Sequence, residues 1–145
     1  MAQNITQKTE KTPLKYRFSF EKLIRDDLVA AMTVSGIVVH NRTIVGEEYA
    51  CALVKKLHEE VNEVAAASDP QEIIEELADV FEVITAIAGA HGFDLQAIAN
   101  KAQEKRAAKG GFSGGTYVEW IEMPANHPRA AYYLSRSVDY PVVGL

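Results

Sequence analysis

Two stretches with apolar residues at helical spacing, residues 43–68 and 70–90, are separated only by Asp69. Asp69 can cap the second helix with Pro70 at its first position, so the chain must turn back on itself there. The expected product is an antiparallel helical hairpin. Its first helix is predicted over Thr43 to Ser68, with Thr43 as N-cap and Glu47 and Glu48 in the first turn, and its second runs to about Ala90, where His91 and Gly92 end it.

Two acidic clusters sit on this hairpin: Glu59, Glu60 and Glu63 in the first helix, Glu76 and Asp79 in the second. Angular position bears on what they do. With Glu59 at zero and about 100° per residue, Leu53, Leu57, Val61 and Val64 lie at roughly 120 to 200°, Glu60 at about 100° and Glu63 at about 40°. Glu60 therefore borders the apolar stripe. Measured from Glu76, the apolar residues Ile73, Ile74, Leu77, Val80, Phe81, Val83, Ile84 and Ile87 span roughly −20 to 160°, so Glu76 falls inside their sector. A carboxylate in that position needs a partner, because an unpaired buried charge is too costly to keep ionised. Spacing alone leaves three readings open: a solvated rim, salt-bridged structural carboxylates, or a site for a hard divalent cation, Mg²⁺ or Mn²⁺.

The 145 residues are expected to form one domain, and the net charge of −5 argues against a binder of nucleic acid polymers. The polar start has no apolar h-region and no run reaches membrane-span length, so a soluble, cytoplasmic protein is expected, with no membrane partner. Cys51 lies in a helical stretch and reads as a small core residue.

The rest of the chain divides into further elements. Residues 1 to about 15 read as an arm ending at Pro13. A first helix is predicted from Ser19 to Thr33, with Phe20, Leu23, Ile24, Leu28, Val29 and Met32 on its apolar face and Ser35 and Gly36 as its stop. Asp94 starts a fourth long helix that stops at Gly110 and Gly111, and a short strand is predicted over Thr116 to Met123. The remaining residues read as an extended tail that packs on its own domain or a neighbouring subunit. The expected fold is all-α: a four-helix bundle with a short C-terminal strand and tail.

Basic residues gather at two places, Lys22 and Arg25 on the predicted first helix, and Lys101, Lys105, Arg106 and Lys109 on the fourth. Exposed lysines near a helix C-terminus are commonly dipole complements. Carboxylates that can hold a cation, combined with cations that can hold phosphate oxygens, are also what a metal-bound polyphosphate requires.

The order KLIRD at Lys22 to Asp26, EExxE at Glu59 to Glu63, ExxD at Glu76 to Asp79 and KAQEKRAAKGGF at Lys101 to Phe112 resembles the MazG-like all-α nucleotide pyrophosphohydrolases. That superfamily includes phosphoribosyl-ATP pyrophosphohydrolase and the all-α dUTPases and dCTPases. The resemblance covers about residues 19 to 123, leaving 1 to 18 as an arm and 124 to 145 as a tail without counterpart. It implies hydrolysis of the bond between the α and β phosphates of a nucleotide, giving a monophosphate and pyrophosphate. By the resemblance Glu60, Glu63, Glu76 and Asp79 are ligands of Mg²⁺, or of Mn²⁺, and Glu59 is the group that orients or deprotonates water. Lys22, Arg25, Lys101, Lys105 and Arg106 would bind the phosphates. A homodimer or a pair of dimers is implied as well, in keeping with the wide apolar sectors of the two hairpin helices.

Two other classes of function compete. A carboxylate-bridged di-iron bundle characteristically uses Glu-x-x-His, and none of His40, His58, His91 or His127 has a glutamate three positions earlier. A non-catalytic module that binds nucleotide is the other. Phosphoribosyl-ATP is an alternative substrate to a nucleoside triphosphate, and His40, Asn41 and Asn100 are candidates for touching the base.

Overall fold

The computed structural model describes residues 15–144, in which the regular elements are helices and there is no strand. The predicted arm up to residue 14 lies outside the described residues. The chain divides into two units, Met1–Ile98 and Ala99–Leu145.

The first unit is organised by a helix pair, α2 (Gly46–Ala66) and α3 (Pro70–Ala90), preceded by a short α1 (Leu28–Val34). α2 and α3 pack against each other as the predicted hairpin. Asp69 caps α3 as its sequence position demands, its carboxylate accepting from the backbone N–H groups of Gln71 at 2.8 Å and Glu72 at 3.0 Å, with Pro70 behind it. Glu72 reaches back to the backbone and hydroxyl of Ser68, and these bonds hold its pKa below the ordinary glutamate range. His91 and Gly92 end α3, with Gly92 in the left-handed region at φ 74° that a residue without Cβ adopts freely. α4 (Leu95–Lys109) then begins, Asp94 accepting from Ala97 N at 2.7 Å.

Two boundaries of this unit differ from expectation. The N-cap of α2 is Val45 rather than Thr43, and it offers no side-chain bond. The predicted first helix is reduced to α1, because residues 15–27 are not helical. Lys22 and Arg25 reach carboxylates 37 and 54 residues away on two different helices. On a helix the two would share one face. The stop at Ser35 and Gly36 is as predicted.

Leu53, Val83 and Ala88 are the buried apolar residues of the hairpin. The apolar sector of α3 is wider than α2 covers: Ile74, Leu77 and Phe81, on one stripe, are 62%, 50% and 58% exposed. Val54 and Val61 form a similar exposed edge on α2. Cys51 is exposed and not in the core, since it lines an open groove with Val54, Ile87 and His91 that no described element fills.

In the second unit α4 ends at Gly110 (φ 81°), and Arg106 lies over Gly111. Residues 116–123 form no strand; a strand needs a neighbour to take its backbone hydrogen bonds, and the described residues offer none. The tail is not wholly extended either, for it contains α5 (Ala130–Leu134). Its tyrosines account for this. Tyr133 packs edge-on against Tyr132 and Tyr140 at 5.2 and 5.0 Å, Arg129 covers two of these rings, and Arg136 donates to the Tyr132 hydroxyl at 2.9 Å and to Asp139 at 3.0 Å.

Asp69→Ala is expected to lower stability by about 1 kcal/mol, the usual value of a lost N-cap, while Asp69→Asn changes little. Urea unfolding followed by circular dichroism measures both.

Candidate metal centre

The acidic residues of α2 and α3 meet where the hairpin helices pack. Oxygens of Glu60, Glu76 and Asp79 lie within 4.8 Å of one another, and so do those of Glu59, Glu60 and Glu63. Glu60 belongs to both groups. It is 3% exposed, as its angle beside the apolar stripe foretells, and its Oε2 has no hydrogen-bond partner. Glu76 Oε2 is likewise buried and unpartnered. Two orphaned carboxylate oxygens on residues of one cluster are a strong demand for positive charge. An all-oxygen donor set of this kind suits a hard divalent cation, so these residues fit Mg²⁺ or Mn²⁺.

The remaining oxygens are held by cations of the chain itself. Lys56 Nζ stands 2.6 Å from Glu60 Oε1 and 3.0 Å from Glu59 Oε1, and Lys22 Nζ is 2.6 Å from that same Glu59 oxygen. Arg25 pairs with Asp79, which keeps the guanidinium pKa raised. Burial would lower the Lys56 pKa, yet its hydrogen bonds to Glu60 and Glu59 prevail and hold it above the ordinary lysine value. Hydrogen bonding from Lys22, reinforced by Lys56 against the effect of burial, holds Glu59 below the usual glutamate range. Glu63 moves the other way: a hydrogen bond shared with Glu60, then burial, then the charges of Glu60, Glu76 and Glu59, favour its protonated form.

The structure thus brings together Glu59, Glu60, Glu63, Glu76 and Asp79, with Lys22 and Arg25 on two of these carboxylates. Lys101, Lys105 and Arg106 belong to the second unit, on α4, where Lys101 pairs with Glu104. The residue that motif reading missed is Lys56. Its signal was the Lys-Glu spacing of one helical turn, positions 56 and 60.

Residues 37–106 match the family model for phosphoribosyl-ATP pyrophosphohydrolase. That family lies in the MazG-like all-α pyrophosphohydrolase superfamily, so the match agrees with the resemblance carried by the motifs. The matched span holds all five acidic residues together with Lys56, Lys101, Lys105 and Arg106, while Lys22 and Arg25 precede it. No curated protein and no solved structure gives a significant match. Members of the superfamily are pyrophosphohydrolases, and the domain points to that type of activity. No described helix is long and apolar enough to cross a membrane.

Glu76→Gln is expected to raise the melting temperature in EDTA, because an amide in place of the charge can donate to the orphaned Glu60 oxygen; the gain is on the order of 1 kcal/mol. The same variant should lose the stabilisation that Mg²⁺ confers on the parent protein. Melting curves with EDTA and with Mg²⁺ measure both effects, and a lower melting temperature in EDTA with the Mg²⁺ response intact would assign Glu76 to structure alone.

Proposed function

We propose that the chain is a Mg²⁺-dependent nucleoside triphosphate pyrophosphohydrolase, which splits the α–β phosphoanhydride with water to give a nucleoside monophosphate and pyrophosphate. The observation that carries this is the pair of buried, unpartnered oxygens on Glu60 and Glu76, set within a pyrophosphohydrolase domain. Glu60, Glu76, Asp79 and Glu63 would hold the cation. Once bound, the ion supplies Lewis acidity, lowering the pKa of water and neutralising phosphate charge. Glu59 would orient or deprotonate the attacking water. Lys22 and Lys56 both bind its Oε1, which leaves Oε2 for that role. Its lowered pKa makes it a weak base on its own, so its part is mainly to orient the water.

Lys22 and Arg25 would turn to the phosphates when a nucleotide enters, and Lys101, Lys105 and Arg106 are the further phosphate-binding candidates. Clearance of non-canonical or excess nucleotides is the proposed role. Phosphoribosyl-ATP, named in the description of the matched family, is the second substrate reading. A panel of canonical and modified triphosphates plus phosphoribosyl-ATP, assayed for pyrophosphate with Mg²⁺, is expected to give pyrophosphate as the first product. Orthophosphate as the first product would overturn the assigned bond, and Mg²⁺-dependent binding without turnover would favour the non-catalytic module.

We also infer a homodimer or a pair of dimers. The exposed stripe Ile74, Leu77 and Phe81 on α3 and the edge Val54 and Val61 on α2 form an apolar surface that a second hairpin would cover, completing a four-helix bundle from two chains. Light scattering should give at least twice the 16.0 kDa chain mass, and Phe81→Glu should reduce it toward one chain. A fully active monomer at micromolar concentration would refute the assembly.

A further inference from the structure

Lys56 stands one helical turn before Glu60 on α2, and its side chain is 20% exposed against 4% for that of Glu60. Its ammonium takes one oxygen of Glu60, Oε1, and the buried Oε2 is left without a hydrogen-bond partner, in a residue that clusters with Asp79 and with Glu76, whose own Oε2 is also unpartnered. Among the described residues no ion pair joins Lys56 to Glu76 or Asp79. The ammonium is therefore not a stand-in for the cation, because it grips Glu60 by the other oxygen. A carboxylate is planar, so fixing one oxygen fixes the direction of the second.

The same ammonium binds Glu59 Oε1 at 3.0 Å. Lys22 shares that oxygen but comes from the non-helical residues 15–27, whereas Lys56 is fixed by α2 itself. We propose that Lys56 is a positioning residue: by pinning Oε1 of both Glu60 and Glu59 it presents their Oε2 atoms, one to the divalent cation and one to the attacking water. The inference rests on the metal-binding reading of the site.

Two effects oppose each other when Lys56 is removed. Losing a positive charge near a cation site favours the cation. Losing the hydrogen bond takes the only cation of the chain paired with Glu60 among the described residues away from a buried carboxylate and frees that carboxylate to rotate. Orientation prevails, because the lysine charge is already shared by two carboxylates, and loss of a group bonded to a metal ligand typically weakens metal binding by about 10- to 100-fold.

The test is titration of the full chain with Mn²⁺, without nucleotide, following free Mn²⁺ by electron paramagnetic resonance. Lys56→Met should bind at least about 10-fold more weakly than the parent protein, and Lys56→Arg should recover most of that loss. In a Glu60→Gln background, Lys56→Met should cost far less, since the two act through one bond. Equal or tighter binding by Lys56→Met would overturn the proposal, as would an undiminished cost in the Glu60→Gln background. Absence of Mn²⁺ binding by the parent protein would instead remove the metal-binding reading beneath it. Circular dichroism checks that each variant is helical; if Lys56→Met is not, Lys56→Gln carries the same expectation.

Discussion

The carboxylate of Glu60 is buried between two helices, and the unit around it is arranged to tolerate that charge. Removing a carboxylate from water costs several kcal/mol even after relaxation, which one hydrogen bond does not offset. Lys56 compensates one oxygen. The second has no hydrogen-bond partner, and the residue clusters with Glu76, another carboxylate. Repulsion between neighbouring carboxylates is unfavourable for a fold and useful for a cation site, since a divalent ion converts it into shared attraction. The packing of α2 on α3 is what brings these oxygens near one another.

The cations around the cluster divide by their anchorage. Lys56 belongs to α2 and acts within one turn, while Lys22 and Arg25 come from residues that are not helical and are set on carboxylates by charge. Their effects on proton binding have opposite consequences for stability. Glu59, held low mainly by Lys22, favours the folded state above the ordinary glutamate pKa and loses that contribution as pH falls through its lowered value. Glu63, raised mainly by its hydrogen bond with Glu60, favours the fold on the acid side and loses that contribution as pH rises through its raised value. Glutamates one turn apart thus pull in different directions, a consequence of crowding acids and cations in one place.

Local signals were legible where the local sequence decides the structure. Asp69-Pro70 and His91-Gly92 mark helix ends because capping and left-handed backbone involve only nearby residues. The inward angle of Glu60 was readable for the same reason: helical period alone sets it. Residues 19–27 show the limit. Their pattern suits a helix, but pairing with α2 and α3 governs them instead, and no local rule contains those partners. Trp120 and its neighbours have strand-forming composition without a strand to pair with among the described residues. Cys51 has helical surroundings but no covering element among the described residues. Lys56 was readable from its spacing to Glu60, yet a charged residue of ordinary helical spacing draws no notice until its partner is known to be buried.

The site and the exposed apolar stripe are built on the same turns of α3. Leu77 follows Glu76 directly, and Phe81 lies two residues beyond Asp79. Whatever covers Leu77 and Phe81 therefore restricts the backbone that carries two of the clustered carboxylates. With Leu53, Val83 and Ala88 as the buried apolar residues of the hairpin, packing within one chain supplies little of that restriction. Oxygens that must stay within a few ångströms of one another need a stiffer frame, because small displacements of ligand groups weaken a metal site. Covering the stripe and holding the carboxylates in register are, on this helix, one mechanical requirement.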